Sequence, residues 1–216
     1  MAPKIKICCI GSIDEARIAV EHGAAALGLV AKMPSGPGPI SDNLIFEIAQ
    51  TVPPPIASFL LTSETDACDI IAHHRRTLTN TIQLVDAVSE EAYKAIRKEI
   101  PAVKLVQVIH VMDESAIEDA IRISGYVDAL LLDSGNPNAA IKELGGTGRT
   151  HNWVLSRKIV EQSKVPVFLA GGINPENVQR AIKEVNPFGI DLCSSVRTNG
   201  KLDPAKLGSF FAAAGA

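Results

Sequence analysis

Short aliphatic runs alternate along the chain with longer stretches in which apolar residues recur every three or four positions. The first pattern predicts buried strands and the second amphipathic helices. Strands are expected over 4–10, 26–30, 56–61, 81–85, 104–109, 129–133, 165–170 and 189–193. Helices are expected over about 13–22, 41–51, 63–76, 89–100, 113–124, 153–163, 174–185 and 203–213. Ser41 and Ser89 suit N-caps, Gly23 suits a C-terminal stop, and Pro175 suits a first helical position. The segment 32–39 holds three prolines and two glycines, so it is a loop.

Eight strands, each followed by a helix, imply parallel βαβ units. Their number and their spacing of roughly 27 residues imply one (β/α)8 barrel near its smallest size. A doubly wound open sheet has fewer strands. No linker or shift in composition divides the sequence, so residues 1–216 are expected to form a single domain.

Composition agrees with this. The 216 residues are 46% hydrophobic but only 4% aromatic, so the core must be built from Ile, Leu, Val and Ala. That bias suits a parallel sheet covered by helices. A net charge of −3 with no basic run gives no footprint for nucleic acid. No signal-peptide core or membrane-length apolar stretch is present, so a soluble cytoplasmic protein is expected. Cys8, Cys9, Cys68 and Cys193 have no zinc-type spacing, and no disulfide is expected in that compartment. No metal site is expected. His73 and His74, late in a polar helix, are read as surface residues.

In a (β/α)8 barrel the active site lies at the C-terminal ends of the strands. That rule selects Cys8, Cys9, Leu60, Thr62, Gln83, Asp86, Gln107, His110 and Asp133, together with the loops after strands two, six, seven and eight. Two segments, 170–175 with Gly171-Gly172 and 191–195 with Ser194-Ser195, have the chemistry of a phosphate site: close backbone N–H groups beside a helix N-terminus. The loop 144–150 carries Gly146, Gly148 and Arg149. It lacks the Lys-Ser/Thr of a Walker A motif, and suits a closing loop whose arginine meets a phosphate or carboxylate. Asp133 ends an apolar strand, where burial raises a carboxyl pKa and suits it to general acid work. Cys8 ends the first strand, where a thiolate is able to take a proton.

In order along the chain, Lys6-Ile7-Cys8, Gln83-Leu84, Leu132-Asp133, Gly145-Gly146-Thr147-Gly148-Arg149-Thr150, Trp153 and Gly171-Gly172-Ile173-Asn174-Pro175-Glu176-Asn177-Val178 resemble the phosphoribosylanthranilate isomerase family of tryptophan biosynthesis. The resemblance implies a cofactor-free Amadori rearrangement of a small phosphorylated sugar, with Cys8 as general base and Asp133 as general acid. Gly146, Gly148, Gly171, Gly172, Ser194 and Ser195 are expected at the phosphate, and Gln83, His110, Arg149 and Arg197 elsewhere around the substrate. The chain departs from the family in four places. Cys9 follows Cys8 where the family has Gly. The loop 33–39 lacks the family's Arg. Val85-Asp86 replaces His-Gly after the fourth strand. Cys193-Ser194-Ser195-Val196-Arg197 replaces Ser-Ser-Gly-Val-Glu. Rival readings are a phosphosugar epimerase or lyase on the same barrel and a non-catalytic phosphometabolite sensor. Monomer and homodimer both fit.

Overall fold

A computed structural model describes residues 2–136, 139, 142–144 and 150–215. Its strands are β1 (Lys4–Ile7), β2 (Ala26–Val30), β3 (Ala57–Thr62), β4 (Thr81–Leu84), β5 (Lys104–His110), β6 (Ala129–Asp133), β7 (Val167–Leu169) and β8 (Gly189–Leu192). They close a parallel barrel in sequence order, with β1 paired to β8 in the register Lys6↔Asp191 and Ile7↔Leu192. The helices are α1 (Ile13–Glu21), α2 (Asp42–Thr51), α3 (Ala67–Thr77), α4 (Glu90–Glu99), α5 (Ser115–Ile123), α6 (Trp153–Gln162), α7 (Val178–Val185) and α8 (Pro204–Ala214). No helix among the described residues is long and apolar enough to cross a membrane.

Alternation along each strand builds two cores. Outward residues such as Ile5, Ile7, Leu27 and Leu29 pack against the helices. Inward residues such as Ala26, Val30, Phe59, Leu61, Leu131 and Phe168 fill the barrel. Along β1 the same period of two puts Lys6 on the inward face, and Lys6 is fully buried. Space for it comes from Gly28 on β2. A Cβ there would meet the Lys6 Nζ at 3.0 Å and the Cys8 Sγ at 2.8 Å.

Local chemistry fixes the element ends. Ser41 and Ser89 cap α2 and α4 as expected, accepting from the N–H of Leu44 and Ala92. Four expectations need correction. Helix α3 starts at Ala67 and not at Ser63, because Asp66 caps it, accepting from the N–H of Cys68 and Asp69. Helix α7 starts at Val178, so Pro175 lies in the turn before it. There Asn174 Oδ1 accepts from the N–H of Glu176 and Asn177. His73 and His74 are buried. His73 bridges Thr62 and Asp42, while His74 donates to the Thr79 carbonyl. Strand β1 ends early, at Ile7, since Cys9 turns the chain with φ of 62°.

One element was not anticipated. Ser194–Val196 form a single 3-10 turn, followed by a two-stranded hairpin, β9 (Arg197–Thr198) and β10 (Lys201–Leu202). Its signal was present in the Asn199-Gly200 pair, whose φ values of 51° and 78° are those of a tight hairpin turn.

Candidate active site

The C-terminal ends of β1, β4, β6, β7 and β8 surround a pocket with about 770 Å3 of empty space, part of it open to solvent. Cys8, Gln83, Asp133, Gly171, Gly172, Ser194 and Ser195 all line it. So do Cys9, Asp191 and Cys193, together with Met33, Ser35, Gly36 and Pro37 of the loop after β2 and Leu144 of the loop after β6. Those two loops touch, as Ser35 Oγ donates to the Lys142 carbonyl at 2.6 Å.

Asp133 is 7% exposed. Burial pushes its carboxyl pKa up to about 6, against the opposing pull of the Ser134 N–H, which it accepts at 2.7 Å. A carboxylic acid with that pKa is partly protonated near neutrality and is able to donate a proton.

Beneath Cys8 and Asp133 lies a buried ion pair. The Lys6 Nζ is 2.9 Å from Asp191 Oδ1 and 5.3 Å from the centre of the Phe59 ring. Burial disfavours the ammonium, but the Asp191 carboxylate outweighs that cost and holds the Lys6 pKa above its ordinary value. Asp191 is itself raised by burial, with Lys6 pulling it back. Sequence reading placed Lys6 and Asp191 only within motifs and missed their pairing. The signal was a lysine at an inward position in the middle of a barrel strand.

At the β7–β8 end the backbone is shaped for close approach. Gly171 and Gly172 have φ of 81° and 63°, which side-chain-bearing residues rarely adopt. Asn177 fixes this turn, donating to the Gly172 carbonyl and accepting from the Asn174 N–H. Among the described residues, the N–H groups of Gly171, Gly172 and Ile173 have no backbone acceptor. Ser195 Oγ and Gln83 Oε1 are buried polar atoms without a hydrogen-bond partner.

Two expected substrate contacts are placed elsewhere. Arg197 bonds Glu15 at 3.2 Å and the carbonyls of Cys8, Cys9 and Gly200. It clamps the first loop to the hairpin and does not line the pocket. His110 donates from Nε2 to the Val85 carbonyl, and burial lowers its pKa. It too is absent from the pocket wall. Gly146, Gly148 and Arg149 lie outside the described residues. Among the described residues no Arg or Lys lines the pocket.

Three sulfurs gather at one side. Cys9 Sγ is 2.6 Å from Cys193 Sγ and 3.6 Å from the Pro37 carbonyl. Hydrogen bonding to Cys193 and Cys8, reinforced by burial, pushes the Cys9 thiol pKa up. The Cys9 hydrogen bond pulls Cys193 down against its own burial, and the Arg197 charge assists.

A closed parallel (β/α)8 barrel with a buried acid, a thiol and a glycine-serine cradle on its C-terminal face defines a small-molecule enzyme of the barrel class. Residues 5–213 match the family described as "N-(5'phosphoribosyl)anthranilate (PRA) isomerase". A Methanosarcina mazei protein named "N-(5'-phosphoribosyl)anthranilate isomerase 2" is 34% identical over 209 residues, 96% of this chain and 92% of that one. The Haloarcula marismortui N-(5'-phosphoribosyl)anthranilate isomerase is 32% identical, covering 91% and 88% of the two chains. Among solved structures, phosphoribosyl anthranilate isomerase from Thermotoga maritima superposes with a TM-score of 0.84 at 28% identity, over 99% of this chain and 98% of that one. A phosphoribosyl anthranilate isomerase in complex with reduced 1-(o-carboxyphenylamino)-1-deoxyribulose 5-phosphate gives 0.81 at 26% identity, with the same coverage. The chain belongs to the phosphoribosylanthranilate isomerase family.

Proposed function

We infer that this protein isomerises N-(5'-phosphoribosyl)anthranilate to the 1-deoxyribulose 5-phosphate product in tryptophan biosynthesis. The observation that carries the reading is the meeting of Cys8 and Asp133 in one pocket that the Gly171-Gly172 and Ser194-Ser195 cradle also lines.

In this scheme Asp133, protonated, gives its proton to the ribose ring oxygen as the ring opens to a Schiff base. Cys8, as thiolate, removes the proton from the second sugar carbon, and the enamine so formed rearranges to the ketone. The Lys6 ammonium, within 3.0 Å of a point that also lies 2.8 Å from the Cys8 Sγ, supplies a counter-charge close to that sulfur. The phosphate rests on the N–H groups after β7 and on Ser194 and Ser195, where a dianion finds backbone and hydroxyl donors. Gln83 and Ser195, with their unpartnered oxygens, receive polar groups of the substrate. Met33, Pro37, Leu61 and Leu144 offer an apolar wall for an aromatic ring.

The test is turnover of freshly generated phosphoribosylanthranilate, followed by loss of anthranilate-type fluorescence. Robust turnover is expected, falling by about 100- to 10,000-fold in Asp133→Asn and in Cys8→Ala. The product analogue should still bind both variants. Folded wild-type protein with no turnover would remove the assigned reaction.

A further inference from the structure

Three of the positions at which this chain departs from its family meet in space. Cys9 stands where the family has Gly, Cys193 where it has the first Ser of its Ser-Ser-Gly, and Arg197 where it has Glu. The Cys9 and Cys193 sulfurs are 2.6 Å apart, well inside ordinary van der Waals contact. Arg197 holds the Cys9 carbonyl from behind. The loop after β2 packs over the thiol at Gly38, where a Cβ would lie 2.6 Å from the Cys9 Cβ and 3.1 Å from its Sγ. Cys193 follows directly on β8, and Cys9 lies two residues past the end of β1, the strand that pairs with it. Such strands lie about 4.8 Å apart, a separation that a disulfide spans. Both thiols are free, both line the pocket, and the mechanism uses neither.

We propose that Cys9 and Cys193 are a redox modification site, joined by peroxide into a reversible disulfide that stops turnover. The oxidant reaches the pair through the pocket that both thiols line. Cys193, the less buried of the two, reacts first. Its thiolate attacks one peroxide oxygen, the O–O bond breaks, and the hydroxide released leaves Cys193 as a sulfenic acid. The Cys9 sulfur then attacks the Cys193 sulfur, and the sulfenic oxygen leaves as water with the Cys9 proton. The sum is two thiols and one hydrogen peroxide giving one disulfide and two waters. The lowered pKa of Cys193 and the raised pKa of Cys9 fit these roles of first and resolving thiol. The bond fastens the residue next to Cys8 to the residue before Ser194. Its effect on turnover rests on the isomerase reading above.

The experiment exposes the full chain to hydrogen peroxide, blocks remaining thiols, digests with trypsin and maps the cross-link by mass. Cleavage isolates residues 7–17, with Cys8 and Cys9, and residues 184–197, with Cys193. The two peptides should appear joined and lighter by two hydrogens, and dithiothreitol should separate them. Cys8→Ser should keep the joined pair, whereas Cys9→Ser and Cys193→Ser should lose it. Cys193→Ser installs the residue the family itself carries, which guards against loss of the fold. Oxidised wild type should lose about a hundredfold in turnover, the cost of an ångström-scale misplacement, and regain it with dithiothreitol. Failure to find joined peptides in folded wild type would overturn the proposal. So would a link that survives in Cys9→Ser, or a joined enzyme that turns over normally. The mass readout needs no turnover, so failure of the isomerase reading shows up separately as an inactive reduced enzyme.

Discussion

Asp133 holds two opposed requirements in one side chain. Its pKa lies above the unfolded value because burial disfavours the charge. Between about pH 4 and 6 the folded state therefore binds more protons at this site than the unfolded state does. The contribution of Asp133 to stability is consequently most favourable below that window and falls as pH rises through it. A shift of this size is worth about 3 kcal/mol at full ionisation. Asp133→Asn should thus be more stable than wild type at pH 8, with the advantage vanishing near pH 4, as read by urea unfolding at both values. The same pKa predicts that kcat/KM falls as pH rises through about 6, as the acid form is lost. A second single-residue test is Gly28→Ala. Its methyl group would sit 2.8 Å from the Cys8 Sγ and 3.1 Å from the Cys8 Cα, so the thiol must move. Turnover should fall about a hundredfold while the far-ultraviolet circular dichroism stays that of a folded barrel.

The elements differ in how readily the sequence disclosed them. Strands β2 and β6 were legible to the residue, since each is a fully buried aliphatic run. The place of Asp133 on the pocket wall was legible too, as a polar group ending an apolar run. The start of α7 was not, because Asn174 and Asn177 cap each other's backbone and delay the helix by a turn that propensity does not register. That delay has a purpose in shape. Asn177 also donates to the Gly172 carbonyl at 2.9 Å and so fixes the turn after β7. Asn177→Ala should loosen this turn and raise KM for the phosphorylated substrate by about tenfold, the equivalent of one lost hydrogen bond, with kcat less affected. Steady-state kinetics separates the two constants. Arg197 illustrates the opposite limit. Its charge invited a substrate role, and only the fold shows that Glu15, from a segment 182 positions earlier, consumes it.

At the scale of the whole barrel, the apolar interior is interrupted by a few buried polar residues, Gln83 and Asp133 among them, and by a charged pair where β1 and β8 meet. There Lys6 and Asp191 form an ion pair that long-range strand register alone creates. Removing one member leaves the other charged and buried. Lys6→Met should cost about 3–5 kcal/mol at neutral pH. Adding Asp191→Asn should recover a large part of that loss without restoring turnover, as read by thermal unfolding beside the fluorescence assay. No local pattern reveals such a pair, since its members lie 185 positions apart.

The closing seam between β1 and β8 also sets when competence arrives during synthesis. Until the last strand leaves the ribosome, β1 has an open edge, a ready template for pairing with another chain. In that interval Lys6 lacks its counter-ion, Cys8 lacks one wall of its pocket, and Arg197 is not yet available to tie down the first loop. The nascent protein is therefore at its stickiest and wholly inactive late in translation. One final strand then shields the edge, neutralises the interior and completes the catalytic face in a single event.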